Sequence, residues 1–204
     1  MTLPWILGSA AVGVLAGPPL RAGVLARYGV KPPVLALEAA AGLALAVTAA
    51  RAASPWQLAG LGWLMLAAVA LAFIDAAIRR LPDPLTGAAF AGTGCLLAVA
   101  AFAGGHPAQL GRALIAAAAL CGFYLALFIA SPSGMGLGDV KLAASVGLAL
   151  GWLGWRALVA GTLATFVLAA AYGCALLLLR RAGRGSQLPL GPFIVIGTLA
   201  AIVS

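Results

Sequence analysis

The sequence predicts an all-α, polytopic membrane protein, and its composition and length lead to this prediction. Of the 204 residues, 64% are hydrophobic and only 8% are charged. A soluble domain has roughly 45–50% apolar and about 25% charged residues, so this chain cannot cover its surface with polar groups. With about 20 residues per spanning helix, the chain is long enough for about eight transmembrane helices. We therefore expect a single integral-membrane domain over residues 1–204.

Eight apolar runs are the candidate transmembrane helices. Their approximate bounds are 3–20, 33–50, 57–78, 84–104, 110–130, 139–154, 157–179 and 188–203. Each must be helical, because an open sheet edge leaves backbone groups without hydrogen bonds in lipid. Proline, glycine and basic residues separate the runs, as in RAGVLARYGVKPP, RRLPDP and RRAGRGSQ. The first residues contain no basic leader region, so we interpret the first run as a span and not as a cleaved signal peptide.

The basic residues predict the orientation of the chain in the membrane. They occur singly or in short groups between apolar runs, unlike the concentrated basic patch of a nucleic-acid-binding domain, and we expect no nucleic-acid partner. With the N-terminus outside, the positive-inside rule is satisfied by nine basic residues on the cytosolic side against three outside, and both termini lie outside. The nine are Arg21, Arg27, Lys31, Arg79, Arg80, Lys141, Arg180, Arg181 and Arg184; the three are Arg51, Arg112 and Arg156.

Small residues inside the apolar runs predict packing and not a metal site. Three cysteines lie inside these runs without a CxxC spacing: Cys95, Cys121 and Cys174. We expect neither a disulfide framework nor bound zinc, and we interpret the cysteines as packing residues. The pairs Gly13/Gly17 and Gly147/Gly151 have the spacing that lets helices approach closely.

The four acidic residues are the candidates for chemistry, because an ionisable group is costly near a membrane. Glu38 lies in the second run, Asp75 near the end of the third, Asp83 in the following turn, and Asp139 at the start of the sixth. The orientation brings Asp75 and Asp139 to the cytosolic side although they are 64 positions apart. An aspartic hydrolase that works in a membrane needs two such carboxylates close together at the membrane boundary, where water can reach them. One activates water, and the other, protonated, polarises the scissile carbonyl.

Structural roles remain open for each of these residues. Asp75 could pair with Arg79 one helical turn later, and Asp139 could cap a helix or lie in its first turn. We expect Asp83 to cap the fourth run, with the following proline in the first helical position. Glu38 is expected to be buried and paired, with a possible role in orienting helices.

The segment GMGLGD adds a second feature next to Asp139. Its glycines Gly134, Gly136 and Gly138 alternate, which lets the backbone turn sharply and approach other groups closely. An extended substrate strand could then lie beside this segment and form backbone hydrogen bonds with it.

Four segments, together covering roughly residues 30–204, give the chain a specific resemblance to type IV prepilin peptidases, which are GxGD-type membrane aspartyl proteases. LAFIDAAIRRLPDPLT resembles the first aspartate motif of that family, with Asp75 in the catalytic position, and GMGLGDVKLAASVGLALGW resembles the second, with Asp139 in the catalytic position. LPLGPFIVIG, residues 188–197, is similar to the proline-rich final span. KPPVLALEAAAGL is similar to the segment that carries a glutamate, here Glu38.

The resemblance implies a membrane aspartic endopeptidase of the bacterial inner membrane with the GxGD aspartyl protease architecture. Its expected substrates are type IV prepilin or pseudopilin precursors, whose short basic leader it would remove after a glycine at the cytosolic membrane boundary. Asp75 and Asp139 would act as a dyad with water, without a metal or other cofactor. The precursors and the lipid bilayer are the expected partners.

The first connection departs from the bifunctional members of the family. Those members carry a cytosolic domain between the first two spans, usually with paired CxxC motifs, and this domain is linked to methylation of the new N-terminus. Here the connection has about a dozen residues, Arg21 to Pro32, and no cysteine. We therefore expect peptidase activity, with either no N-methyltransferase activity or one that another protein supplies.

Three other functions compete with this interpretation. A proton- or cation-coupled transporter could use the same two aspartates as ion sites, although such sites tend to lie near the middle of the membrane. A serine protease would need Ser133 and His106, which the predicted orientation places on opposite sides of the bilayer. A structural assembly factor would leave the GMGLGD segment unexplained.

Overall fold

The computed structural model describes residues 2–33, 35–132, 134–180 and 189–204, and these residues form helices and no strand. The α-helices are α1 Leu3–Pro19, α2 Ala36–Arg51, α3 Pro55–Ile78, α4 Asp83–Gly104, α5 Pro107–Ala130, α6 Leu137–Leu153, α7 Trp155–Leu178 and α8 Gly191–Val203. A π-helical turn, Leu20–Val24, and a 3₁₀ turn, Leu25–Tyr28, continue α1. Each helix overlaps one of the eight predicted apolar runs. The fold class predicted from the sequence, an all-α polytopic membrane protein, is confirmed.

Five helical segments in the described part of the chain are long and apolar enough to cross a membrane. They are Leu3–Tyr28, Pro55–Ile78, Asp83–Gly104, Pro107–Ala130 and Trp155–Leu178. Helices α2, α6 and α8 have 16, 17 and 13 residues, fewer than the about 20 that a crossing needs. The count of eight crossings therefore stays a prediction.

Proline marks the start of most helices. The N–H groups of the first turn have no acceptor within the helix, so proline, which has no N–H, loses no hydrogen bond there. Five of the described helices, α1, α3, α4, α5 and α8, have a proline in their first two positions. Ser54 precedes α3, and its hydroxyl accepts a hydrogen bond of 3.1 Å from the N–H of Gln57. Left-handed residues end two of the helices: Arg79 follows α3, and Gly105 follows α4.

Helices α3 and α6 form the centre of the bundle. α3 contacts α2, α4, α6 and α8, and α6 also contacts α4, α5, α7 and α8. The large side chains of both helices that are completely buried are Leu61, Leu64, Met65, Leu71, Ile74, Leu142, Leu148 and Leu150. The two aspartates of interest are therefore carried by the two most enclosed helices.

Close helix crossings use the predicted glycine pairs. A Cβ at Gly147 would lie 2.6 Å from the Cα of Ala117 on α5, and a Cβ at Gly151 would lie 3.0 Å from the Cα of Ala113. Gly13 and Gly17 of α1 lie in the same way against the start of α2. The prediction that both pairs allow close packing is confirmed.

The cysteines differ from one another in their surroundings. Cys121 is half-buried and packs against the core, as expected. Cys95 and Cys174 are exposed on the outer surfaces of α4 and α7, so their interpretation as packing residues was wrong. A small, weakly polar thiol is tolerated on a lipid-facing surface. All three cysteines are free.

Candidate active site

Asp75 lies in the last turn of α3 and is 5% exposed. Its side chain points towards the start of α8, where the N–H of Gly191 donates a hydrogen bond of 2.8 Å to Oδ2. The carbonyl of Asp75 accepts a hydrogen bond of 2.8 Å from the N–H of Arg79, the residue that ends the helix. The carboxylate is therefore held at the end of one helix by the beginning of another.

The alternative pairing of Asp75 with Arg79 does not occur among the described residues, whose ion pairs are Arg21–Glu38 and Lys141–Asp83. Arg79 has a φ of 53° and a ψ of 39°, which is the left-handed conformation. This conformation turns its side chain away from the helical position one turn after Asp75. A pairing expected for a regular helix therefore fails where the helix stops.

Asp139 occupies the third position of α6 and is 7% exposed. Its Oδ2 accepts a hydrogen bond of 3.0 Å from the N–H of Gly136, and its own N–H donates to the carbonyl of Gly136 at 3.1 Å. Of the two structural alternatives, the first-turn position is therefore correct and the N-cap position is wrong, because Gly136 is the N-cap residue and Oδ2 of Asp139 binds its N–H. The other oxygen, Oδ1, is buried and has no hydrogen-bond partner in the described part of the chain.

The two carboxylates line one cavity of about 340 Å³. Its walls come from the end of α3, the connection to α4, Phe128 of α5 and the segment from Gly134 to Asp139. Because a water molecule occupies about 30 Å³ in the liquid, there is room for water together with a short piece of extended peptide. Arg79 and Arg80 also line the cavity, so its polar groups carry both signs of charge.

A larger cavity, of about 620 Å³, lies between α1, α3 and α4. It is lined mainly by apolar side chains, including Trp5, Val12 and Trp63, and none of its lining residues is ionisable. Its lining includes the hydroxyl of Ser9 but no acid or base that could activate it, and the smaller cavity is the candidate active site.

Gly138 of the GMGLGD segment allows close approach to Leu81, and none of the three glycines has an unusual backbone conformation. Gly134, Gly136 and Gly138 are all absent from the residues with positive φ, and Gly136 is extended at φ −91° and ψ 151°. A Cβ at Gly138, however, would lie 2.5 Å from the Cβ of Leu81. The backbone turns at Gly134, whose N–H donates to the carbonyl of Ser131 at 3.0 Å, without a positive φ. Close approach is confirmed at Gly138, where the α3–α4 connection lies against α6.

Asp83 is the first residue of α4 and does not cap it. The N-cap position belongs to Pro82, and no side chain there forms a capping hydrogen bond. The Asp83 carboxylate instead forms an ion pair of 2.6 Å with Lys141 of α6. The predicted cap is corrected, because the ammonium of another helix binds the carboxylate.

Glu38 is buried and paired, as expected. Its two carboxylate oxygens accept hydrogen bonds from Arg21, the shortest of 2.7 Å, and Arg21 also donates to the carbonyl of Pro32 at 3.0 Å. Glu38 does not line the cavity of the two aspartates. The contact joins the π-helical turn after α1 to the first turn of α2.

The serine protease alternative requires Ser133 and His106 to meet, but these residues lie beyond opposite ends of α5 in the sequence. His106 directly precedes this helix of 24 residues, and the helix is about 36 Å long at about 1.5 Å per residue. Ser133 follows the helix and lies outside the described residues. With the length of α5 between the two positions, His106 cannot reach the segment that follows Ala130.

The N–H of Gly191 is a feature of the site that the sequence did not reveal. The segment LPLGPFIVIG resembles the final span of the family, but this resemblance assigns no role to its glycine. The available signal was a glycine placed between Leu190 and Pro192, at the start of an apolar run. Such a position can bring a helix N-terminus close to another group.

Comparison with known proteins relates this geometry to a family. The model of the type IV leader peptidase family matches residues 62–174, slightly more than half of the chain, and this range includes Asp75 and Asp139. A protein of Aeromonas salmonicida (strain A449) named prepilin leader peptidase/N-methyltransferase is 37% identical over 154 residues, which are 70% of this chain and 50% of the relative.

Other relatives carry the same name. That of Aeromonas hydrophila is 35% identical over 188 residues, which are 90% of this chain and 60% of the relative. That of Stutzerimonas stutzeri is 28% identical over 168 residues, 82% of this chain and 57% of the relative. The chain thus spans about half to three-fifths of the length of these relatives, and no solved structure matches it. The match to the family model over more than half of its residues shows that the chain belongs to the type IV leader peptidase family.

Proposed function

We propose that this chain is a membrane aspartic endopeptidase that removes the short basic leader from type IV prepilin or pseudopilin precursors. One observation carries the proposal: two buried carboxylates, Asp75 and Asp139, come from different helices and line one cavity. The names of the relatives support prepilin precursors as the substrate class.

The proposed mechanism uses the two aspartates as a coupled pair. Neighbouring carboxylates cannot both ionise easily, so they share one proton. The ionised carboxylate takes a proton from water while the other donates its proton to the oxygen of the scissile carbonyl, and the hydroxyl adds to the carbonyl carbon. Collapse of the tetrahedral intermediate breaks the C–N bond and transfers a proton to the leaving amine. Which aspartate carries the shared proton is a property of the pair.

The hydrogen bonds of the aspartates fit this division of work. The N–H of Gly191 binds Oδ2 of Asp75, and the N–H of Gly136 binds Oδ2 of Asp139. Each carboxylate therefore has one oxygen that is fixed by the backbone. In Asp139 the other oxygen is buried and has no partner among the described residues, so in the proposed mechanism water or substrate supplies its hydrogen bond.

We further propose that this end of the bundle faces the cytosol of a bacterial inner membrane, with both termini outside. The positive-inside rule supports this orientation: Arg79 and Arg80 line the cavity, and Lys141 lies near it in α6. Arg181 and Arg184, which also enter the count, lie outside the described residues. The leader would enter the cavity from the cytosol while the apolar helix of the precursor stays in lipid, and cleavage would follow a glycine.

Methylation of the product is not part of the proposed activity of this chain. The names of the relatives combine peptidase and N-methyltransferase. The connection between α1 and α2 has no cysteine. It begins with two short helical turns, Leu20–Val24 and Leu25–Tyr28, and Arg21 donates a hydrogen bond to the carbonyl of Pro32. This region therefore lacks the paired CxxC motifs associated with methyl transfer.

Cleavage of a type IV prepilin by the purified protein in lipid nanodiscs tests the proposal, with the cut site and product mass measured by mass spectrometry. We expect one unmethylated product, cut after a glycine, and no cleavage by Asp75→Asn or Asp139→Asn. Asp83→Asn is the matched control, since it removes a carboxylate outside the cavity and should still cleave. Full activity of either dyad variant would contradict the mechanism. Absence of cleavage together with aspartate-dependent proton or cation flux in liposomes would favour the transporter.

A further inference from the structure

The first residue of α8, Gly191, contacts Asp75 in the last turn of α3. The N–H of Gly191 lies 2.8 Å from Asp75 Oδ2, both groups are buried, and 116 positions of sequence separate them. This backbone donor is one of the few available at the start of α8, because the next residue, Pro192, has no N–H. The positive end of a helix dipole thus meets the carboxylate together with a direct hydrogen bond.

Space around Gly191 explains why a glycine is present. A Cβ at this position would lie 3.0 Å from Oδ2, 3.1 Å from Cβ and 3.3 Å from Cγ of Asp75. Gly191 does not have a positive φ, so the backbone conformation does not itself require glycine. A methyl group here would therefore crowd Asp75, whose side chain would have to move by a few tenths of an ångström.

The position of α8 is fixed independently of this hydrogen bond. Leu190 and Ile194, on either side of the contact, are buried in the main hydrophobic core. Further along α8, Gly197 packs against the carbonyl of Gly161 and the side chain of Thr165 on α7, and there is no room for a Cβ at this position. The N–H of Gly191 is therefore presented to Asp75 from a rigid support.

We propose that Gly191 is a positioning residue for Asp75. Its N–H fixes Oδ2, which leaves the second carboxylate oxygen for the water and the substrate in the cavity shared with Asp139. This inference rests on the proposed peptidase function, and it adds the start of α8 to the two aspartate-bearing segments as a third part of the active site.

The test is Gly191→Ala with a purified type IV prepilin as the substrate. Its Cβ must displace Asp75 and lengthen the hydrogen bond, so we expect kcat to fall by about 10²-fold, as misplaced catalytic groups do, with KM nearly unchanged. Because the ionised carboxylate loses a donor, the acidic limb of the kcat profile should move to higher pH.

Two control variants separate positioning from general damage. Gly111→Ala adds the same methyl group to α5, where no atom lies within 4 Å of the new Cβ, and it should match the wild type. Gly197 is on the same helix as Gly191, and Gly197→Ala crowds Thr165 of α7. This variant should therefore lower thermal stability without moving the pH profile. If Gly191→Ala behaves like Gly197→Ala, with lower stability and an unmoved profile, Gly191 has a structural role only and the inference is wrong.

A stability measurement keeps the inference testable if Gly191→Ala folds poorly. We expect the loss of thermal stability caused by Gly191→Ala to be smaller in an Asp75→Ala background, because two of the three crowding atoms are then absent. An equal loss in both backgrounds would overturn the inference. Failure of the wild-type protein to cleave prepilin would instead reject the proposed function, and this outcome is distinct from wild-type cleavage with an unaffected Gly191→Ala variant.

Discussion

The ammonium of Lys141 lies 2.6 Å from the carboxylate of Asp83, and this ion pair joins the first residue of α4 to the second turn of α6. The two residues are 58 positions apart. Asp83 and Lys141 belong to the two aspartate motifs, where they follow Asp75 and Asp139, so the pair links the two motifs outside the cavity.

The Asp83–Lys141 pair should contribute little to stability. Both side chains are largely exposed, at 72% and 48%, and exposed ion pairs are typically worth about 0–1 kcal/mol. We expect a double-mutant cycle with Asp83→Asn and Lys141→Met, measured by unfolding in detergent, to give a coupling energy below about 1 kcal/mol that decreases with added salt. A coupling of about 3 kcal/mol, independent of salt, would show that the pair is much less hydrated than its exposure indicates.

The contact between Arg21 and Glu38 should respond unequally to the loss of its two partners. In Glu38→Gln, Arg21 keeps its hydrogen bond to the carbonyl of Pro32 and can still donate to the new amide oxygen. In Arg21→Met, the Glu38 carboxylate, which is 8% exposed, loses its ion-pair partner. We expect Arg21→Met to lower the melting temperature more than Glu38→Gln, with Arg21→Lys between them because lysine cannot donate two parallel hydrogen bonds. The reverse order in a thermal denaturation series would contradict this account.

Local sequence signals predicted the helices well because the signals are themselves local. The runs predicted over 57–78 and 110–130 correspond to Pro55–Ile78 and Pro107–Ala130, where proline and the end of the apolar run mark the boundaries. The first predicted run ended at residue 20, whereas helical turns continue to Tyr28. Arg21 and Arg27 interrupt the hydropathy pattern there, although they do not interrupt the helical backbone.

Contacts between distant segments were the part that the sequence could not supply. The prediction of a cap at Asp83 used its neighbouring residues and could not include Lys141. The donor to Asp75 comes from Gly191, and the close approach at Gly138 involves Leu81. By contrast, Asp139 bonds to a residue three positions away, and its place in the first helical turn was among the sequence-based alternatives.

Arg112 should stabilise α6 without determining the orientation of the chain. Its Nε donates to the carbonyl of Gly151 at 2.7 Å, and its Nη2 donates to the carbonyl of Trp152 at 2.6 Å, so a cation caps the C-terminal end of α6. We expect Arg112→Met to lower the free energy of unfolding by about 2 kcal/mol, the range for charged hydrogen bonds. In a cysteine-accessibility assay, the side of the membrane on which each loop lies should not change. Reversal of the orientation would mean that Arg112 acts mainly as a topogenic charge.

The two glycines of the GxGD sequence should differ in their tolerance of a methyl group. A Cβ at Gly138 would lie 2.5 Å from Leu81 Cβ, whereas a Cβ at Gly136 would make only an ordinary contact of 3.5 Å with Asp139 Oδ2. Gly136 is also extended, a conformation that alanine adopts freely. We therefore expect Gly138→Ala to displace the start of α6 and reduce prepilin cleavage by about 10²-fold, and Gly136→Ala to have a much smaller effect.

A second substitution tests the cause of the expected loss in Gly138→Ala. The Cβ of Leu81 is the nearest obstacle, so Leu81→Gly should restore part of the cleavage lost in Gly138→Ala, while Leu81→Gly alone should lower stability through the lost side chain. Single-turnover cleavage and thermal unfolding of the four proteins separate these effects. Equal damage by Gly136→Ala and Gly138→Ala, without rescue at Leu81, would mean that the segment needs glycine for contacts with the substrate. In that case the packing of α6 against the α3–α4 connection would not be the reason for glycine at position 138.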